Sequence, residues 1–192
     1  MNISPIKSLL ARHNSQPRRS ILPGLLLVAL ALAVIASGAL AAGGNLVKNG
    51  SFEKDGNGDG IPNSWVGANL TPADKRVCNQ SYAGSCSFKF VFDGNTKSIE
   101  QNISIGGNSG DAYNLVFWMK GKAITGPGVV RIDIGFSSGL AGYTYTLDGN
   151  SPWTKYSLPV QAPANYTSIY ILIRGNEDSG KAWFDKVKLV GP

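Results

Sequence analysis

The residues best suited to chemistry lie between Glu53 and Trp65, in the run E-K-D-G-N-G-D-G-I-P-N-S-W. Asp55, Asn57 and Asp59 put oxygen-bearing side chains at alternate positions, and Gly60 stands where such a loop must turn. Alternate side chains of a tightly curled loop converge on one ion, so the spacing is that of the front half of a calcium loop. Calcium takes roughly six to eight oxygens. The glutamate that closes an EF-hand loop is missing, since Val66 holds that position. Glu53 and Asp185 are the candidates for the remaining oxygens. The other reading is a solvated turn, because Asp, Asn and Gly are also turn residues. An ion held here would be structural, tying the loop of the first strand to the body.

Other chemistry is excluded by composition. The only histidine, His13, lies near the N-terminus, and there are two cysteines. The remainder therefore has no Ser-His-Asp triad, no histidine-bound zinc and no four-thiolate site. Glu100, Asp111, Asp133, Glu177 and Asp178 are scattered along the chain. A glycosidase needs two carboxylates about 5–10 Å apart across a cleft, and no spacing here identifies such a pair. The expectation is a protein that is not an enzyme.

The elements that carry these residues are strands. Short runs at 45–47, 86–93, 97–104, 112–120, 129–136, 143–147, 153–160, 168–174 and 181–190 are bounded by Gly, Asn and Pro. Several alternate with period two, which marks half-buried strands. Val130, Ile132, Ile134 and Phe136 share one face, with Arg131 and Asp133 opposite. Ile169, Ile171 and Ile173 point one way, with Tyr170, Leu172 and Arg174 the other. Leu115, Phe117 and Met119 face a core, while Trp118 and Lys120 face out. No segment past Ala42 keeps a helical period. Many short strands in a chain of 24 glycines, most of them between the strand-like runs, predict an all-β sandwich or barrel.

The opening segment Asn45, Leu46, Asn49, Gly50, Ser51, Phe52, Glu53, followed by a loop and Trp65, resembles the start of galactose-binding-like carbohydrate-binding modules, the cellulose-binding CenC type among them. The run Ala182-Trp183-Phe184-Asp185-Lys186-Val187-Lys188-Leu189 resembles the closing strand of that family, with Lys186 in place of a second aspartate. Residues 112–120 resemble its central strand. The resemblance implies an all-β jelly-roll β-sandwich that binds carbohydrate without catalysis. It also implies a structural calcium held by Glu53, the Asp55–Asp59 loop and Asp185.

Sugar rings stack their C–H faces on aromatic rings, and amides, carboxylates and arginine bridge their hydroxyls. The outward residues of those types are Trp118, Arg131, Asp133, Tyr170 and Arg174, with Tyr143 and Tyr145 on a neighbouring strand. If these strands lie in one sheet they form a cleft. Against this, each ring taken alone is also a core or β-propensity residue. The expected partner is a glycan or polysaccharide. The rival function is a structural or adhesive surface module that contacts a protein or cell-wall partner without a sugar site.

Residues 21–42 are almost wholly apolar and end in small residues, with Ala39-Leu40-Ala41 as a cleavage site. Residues 1–41 are thus read as a signal peptide or an uncleaved signal anchor, and 42–192 as the β-sandwich domain. Membrane contact would come only through that segment if it stays uncleaved. Arg18-Arg19 resembles a twin-arginine export motif. Export to the cell surface or beyond predicts that Cys78 and Cys86, flanking a turn-like loop, pair as a disulfide.

The formal charge of +6 is unevenly placed. Lys7, Arg12, Arg18 and Arg19 precede the apolar segment, and without them fourteen basic residues meet twelve acidic ones, a net of about +2. The basic residues past Ala42 are scattered through strands and turns. Nucleic-acid binding, which needs a clustered basic face, is not expected.

Overall fold

The computed structural model describes residues 43–139, 141 and 147–192. The leader 1–41, Tyr143 and Tyr145 lie outside the described residues.

Among the described residues nine strands follow in order: β1 (Val66–Ala68), β2 (Lys75–Val77), β3 (Ser87–Val91), β4 (Lys97–Ile103), β5 (Ala112–Thr125), β6 (Val130–Phe136), β7 (Gly149–Gln161), β8 (Ile169–Gly175) and β9 (Ser179–Val190). They form two antiparallel sheets. One has four strands in the order β1-β4-β8-β6, the other five in the order β2-β3-β9-β5-β7. This is a jelly-roll β-sandwich, and no helix occurs among the described residues.

The period-two pattern sets which side of each strand is buried. Ile132, Ile134, Ile169, Ile171 and Ile173 turn inward from the four-stranded sheet. Phe88, Phe90, Leu115, Phe117, Met119 and Phe184 turn inward from the five-stranded sheet. Each such side chain contributes about 1.5–3 kcal/mol on leaving water. Because the period is two, the alternate residues must face outward, and they make two separate outer faces.

The strand expected at 45–47 is not one. Asn45 Oδ1 accepts the amides of Val47 (3.1 Å) and Leu189 (3.0 Å), and Leu46 N donates to Leu189 O. The Asn45 side chain takes the place of a ladder partner, as short polar side chains do beside strands. The segment packs against β9 as a turn. Gly50 is required there, since a Cβ would run into the Val187 carbonyl. Val47 and Phe52 still reach the core, and Phe52 packs on Trp65 at 5.4 Å.

Lys97 points inward from β4 and is 1% exposed. Its Nζ donates to Asp74 Oδ2 (2.9 Å), Asp93 Oδ2 (3.1 Å) and the Val91 carbonyl (2.7 Å). A buried ammonium is tolerable only with such a full set of acceptors. The cluster ties β4 to the turn before β2 and to the end of β3 with the turn after it.

Candidate functional site

The outer face of the four-stranded sheet is built row by row from its register. Arg174 stands between Ser98 and Arg131. One step along, Leu172 stands between Glu100 and Asp133, with Val66 beyond Glu100. The next row holds Asn102, Tyr170 and Gly135. Gly135 leaves room for the Tyr170 ring, which a Cβ there would strike. Val66 is 72% exposed, so the face mixes an apolar strip with charged groups.

Asp133 is the hub of this face. Its Oδ2 accepts from Arg131 Nε at 3.1 Å and lies 2.9 Å from Arg174 Nε. The second approach is an ion pair out of line for a hydrogen bond, which leaves the Arg174 Nε donor unsatisfied. Asp133 Oδ1 is buried with no partner. Burial pushes the Asp133 carboxyl above the usual carboxylate range, while Arg131 pulls it back. The Tyr170 hydroxyl is raised as well, first by burial and then by Asp133 and Glu100. An unsatisfied acceptor and an unsatisfied donor thus sit together beside a half-buried ring.

Trp118 is not part of this face. It faces out, as its strand pattern predicts, but β5 belongs to the other sheet. The single cleft joining Trp118 to Arg131, Asp133, Tyr170 and Arg174 therefore does not form. The Tyr82 ring lies on Trp118 at 3.5 Å between centroids and 15° between planes. Trp153 meets Tyr82 edge-on at 6.2 Å. Tyr82 belongs to the loop closed by the Cys78–Cys86 disulfide, and Trp118 is covered by it.

That loop also occupies two of the expected metal ligands. Asp185 Oδ2 accepts the amides of Tyr82 (2.9 Å) and Ala83 (3.1 Å), and its Oδ1 accepts from Lys186 N. Glu53 Oε1 accepts from Ser85 N and Cys86 N. The acidic loop is elsewhere engaged: Asp55 accepts from Gly58 N and Gly60 N, and Asp59 from Ile61 N and the Asn57 amide. Asn49 braces this loop by donating to the carbonyls of Lys54 and Asn63. Glu53, Asp55, Asn57, Asp59 and Asp185 are thus divided between two hydrogen-bond networks. Among the described residues no three acidic, His or Cys side chains gather as a metal cluster.

The basic side chains correct a further expectation. Scattered in sequence, seven lysines gather on the outer face of the five-stranded sheet: Lys75, Lys89, Lys120, Lys122, Lys155, Lys181 and Lys188. The sequence signal available was only that each stands at an outward position of its strand. Nothing local says that those strands are neighbours.

Two antiparallel sheets in this order form a jelly-roll β-sandwich, a fold that solved carbohydrate-binding modules share. Particular solved structures share it. A family 61 carbohydrate-binding module in complex with β-1,4-galactotriose superposes with a TM-score of 0.58 at 15% identity, covering 77% of this chain and 99% of that one. A family 16 carbohydrate-binding module gives 0.55 at 19% identity, covering 76% and 99%. The enzymatically active domain of tailspike protein 4 from bacteriophage CBA120 gives 0.57 at 18% identity, covering 77% of this chain but 21% of that one. At these identities the likeness is one of fold. No family model matches the sequence, and no curated protein matches it.

Proposed function

We propose that this protein binds glycan chains without catalysis, on the outer face of the four-stranded sheet. The observation that carries this reading is the group of Asp133, Arg174 and Tyr170. Buried polar groups are normally hydrogen-bonded, and one left alone costs about 1–3 kcal/mol. Sugar hydroxyls donate and accept at once, and the Arg174 side chain, 34% exposed, is the part of this group that they reach. The Tyr170 ring and the Leu172–Val66 strip offer the apolar surface that a pyranose ring face covers. Asp133 is committed to holding two arginines, a positioning task rather than proton transfer. The galactotriose complex of the family 61 module makes β-1,4-galactan a first ligand to try.

Export belongs to the same proposal, with residues 1–41 as its signal and the Cys78–Cys86 disulfide as a bond that persists in an oxidising compartment. Calcium is carried as a separate proposal confined to the Asp55–Asp59 loop. An ionised carboxylate has about four lone-pair sites, so oxygens already accepting one amide keep a direction for an ion. Nothing on the binding face depends on it.

Adhesion by strand addition is the less favoured alternative. The long edge strand β7 carries exposed Pro152 and Pro159, which lack the N–H that an added strand would need. The test of the glycan reading is a binding screen against neutral polysaccharides, wild type beside Tyr170→Ala. Saturable binding weakened by the substitution supports it. Absence of binding to every glycan tried would overturn it.

A further inference from the structure

The outer face of the five-stranded sheet is a second surface with its own chemistry. Lys75, Lys89, Trp183 and Lys120 stand in one row across β2, β3, β9 and β5. Neighbouring strands are about 4.8 Å apart, so the row places cations at one and at two strand spacings around a central ring. The next row adds Lys181 and Lys122, paired across β9 and β5. Among the described residues none of these five lysines has a carboxylate within ion-pairing distance. Lys120 donates to the Gln80 amide and lies over the Trp183 ring at 5.7 Å.

The charges are close enough to disturb one another. The Lys89 ammonium is held below the usual lysine value by burial first, then by Lys181 and Lys75, with Asp74 opposing. Like charges gathered without counter-charge raise the energy of the free protein, and an anionic partner relieves that repulsion. The opposite sheet is balanced, with Arg131 and Arg174 set against Asp133 and Glu100. The small net charge of the domain therefore conceals a one-sided distribution.

We propose that this lysine face binds a linear acidic polysaccharide, a chain of sugars bearing carboxylate or sulfate groups. Among the described residues the basic side chains of this face are all lysines. Lysine is a point charge that suits single anionic substituents, whereas arginine's planar fork suits bidentate recognition of phosphate. Single-stranded nucleic acid needs a series of open rings to stack on. Here Trp183 is 7% exposed, Trp118 is covered, and Tyr82 is the exposed ring, at 42%. With the Trp183 ring covered, the row meets a partner through its charges, spaced one and two strands apart, which matches anionic groups repeated along a linear chain. The surface lies on the other sheet from the glycan face proposed above and stands without it.

The test uses the purified full-length chain and measures affinity for polygalacturonate and dextran sulfate at low and high salt. Single-stranded DNA and vesicles containing anionic lipid are run beside them. Lys75→Gln/Lys89→Gln is compared with Lys48→Gln/Lys54→Gln, which removes the same charge away from the face. The expected result is salt-sensitive binding to the acidic polysaccharides that only the first double variant weakens, by roughly tenfold. Neutral-glycan binding stays unchanged in that variant, so failure here is separable from failure of the other face. Equal weakening by both variants, no binding to either polysaccharide, or tighter binding to DNA or vesicles would overturn the proposal.

Discussion

Tyr82 and Trp118 lie face to face, 3.5 Å between ring centroids, and this contact joins the disulfide loop to the outer face of β5. Asp185 fixes the geometry by accepting two amides of that loop. Asp185→Ala leaves two part-buried amides without their acceptor and is expected to destabilise the fold by about 1–3 kcal/mol. Loss of the stacked pair would appear as a change in tryptophan fluorescence in native buffer. Unchanged fluorescence and melting temperature would show that the clamp does not hold the loop.

The disulfide closes a short loop, so its effect on the unfolded chain is limited. Cys78→Ser/Cys86→Ser is expected to lower stability by about 2–3 kcal/mol while the chain still folds. Denaturant unfolding of the two proteins measures this. A variant that fails to fold would assign the bridge a larger role than loop closure.

Lys97 separates the effect of charge from that of packing. Lys97→Ala leaves Asp74 buried without its cation and is expected to cost about 3–5 kcal/mol. Changing Lys97 to Met together with Asp74 to Leu removes both buried charges and should recover part of that loss. If the double variant is less stable than the single, the pair contributes more than mutual neutralisation.

Three buried carboxylates, Asp133, Glu177 and Asp185, have pKa values raised chiefly by desolvation. Between the ordinary carboxylate range and the raised folded values the native state holds more protons than the unfolded chain. Stability from these groups is therefore present at low pH and declines as pH rises through that window. Glu177→Gln, at a side chain 2% exposed, should flatten the decline in melting temperature. An identical profile for the variant would mean that Glu177 does not titrate differently on folding.

The Asp55–Asp59 loop is tested by chelation. If it holds calcium, EDTA lowers the melting temperature and added calcium restores it. No change in either direction would leave the loop as the hydrogen-bonded turn that Asn49, Asp55 and Asp59 already make of it.

The strands of the core were legible because one face of each is buried. Period two in β6 and β8 placed Arg131, Asp133, Tyr170 and Arg174 outward correctly. The three-residue strands β1 and β2 were missed, because Val-Gly-Ala and Lys-Arg-Val at sheet edges carry no alternating signal. The run Asn45–Val47 misled because its asparagine hydrogen-bonds the backbone and replaces strand pairing. Sheet membership was the part that local pattern could not supply. Trp118 faces out in either sheet, and only the pairing of β5 with β7 and β9 separates it from Tyr170. The same long-range pairing gathers lysines that lie far apart in the chain.

The most direct test of glycan binding on the four-stranded sheet compares three proteins against one bound polysaccharide: wild type, Arg174→Ala and Trp118→Ala. Binding on this face predicts an affinity loss of about tenfold or more for Arg174→Ala, which removes a charged hydrogen-bonding group from the site, and an affinity close to wild type for Trp118→Ala. Loss of binding in Trp118→Ala with Arg174→Ala unaffected would contradict it and move the site to the opposite sheet.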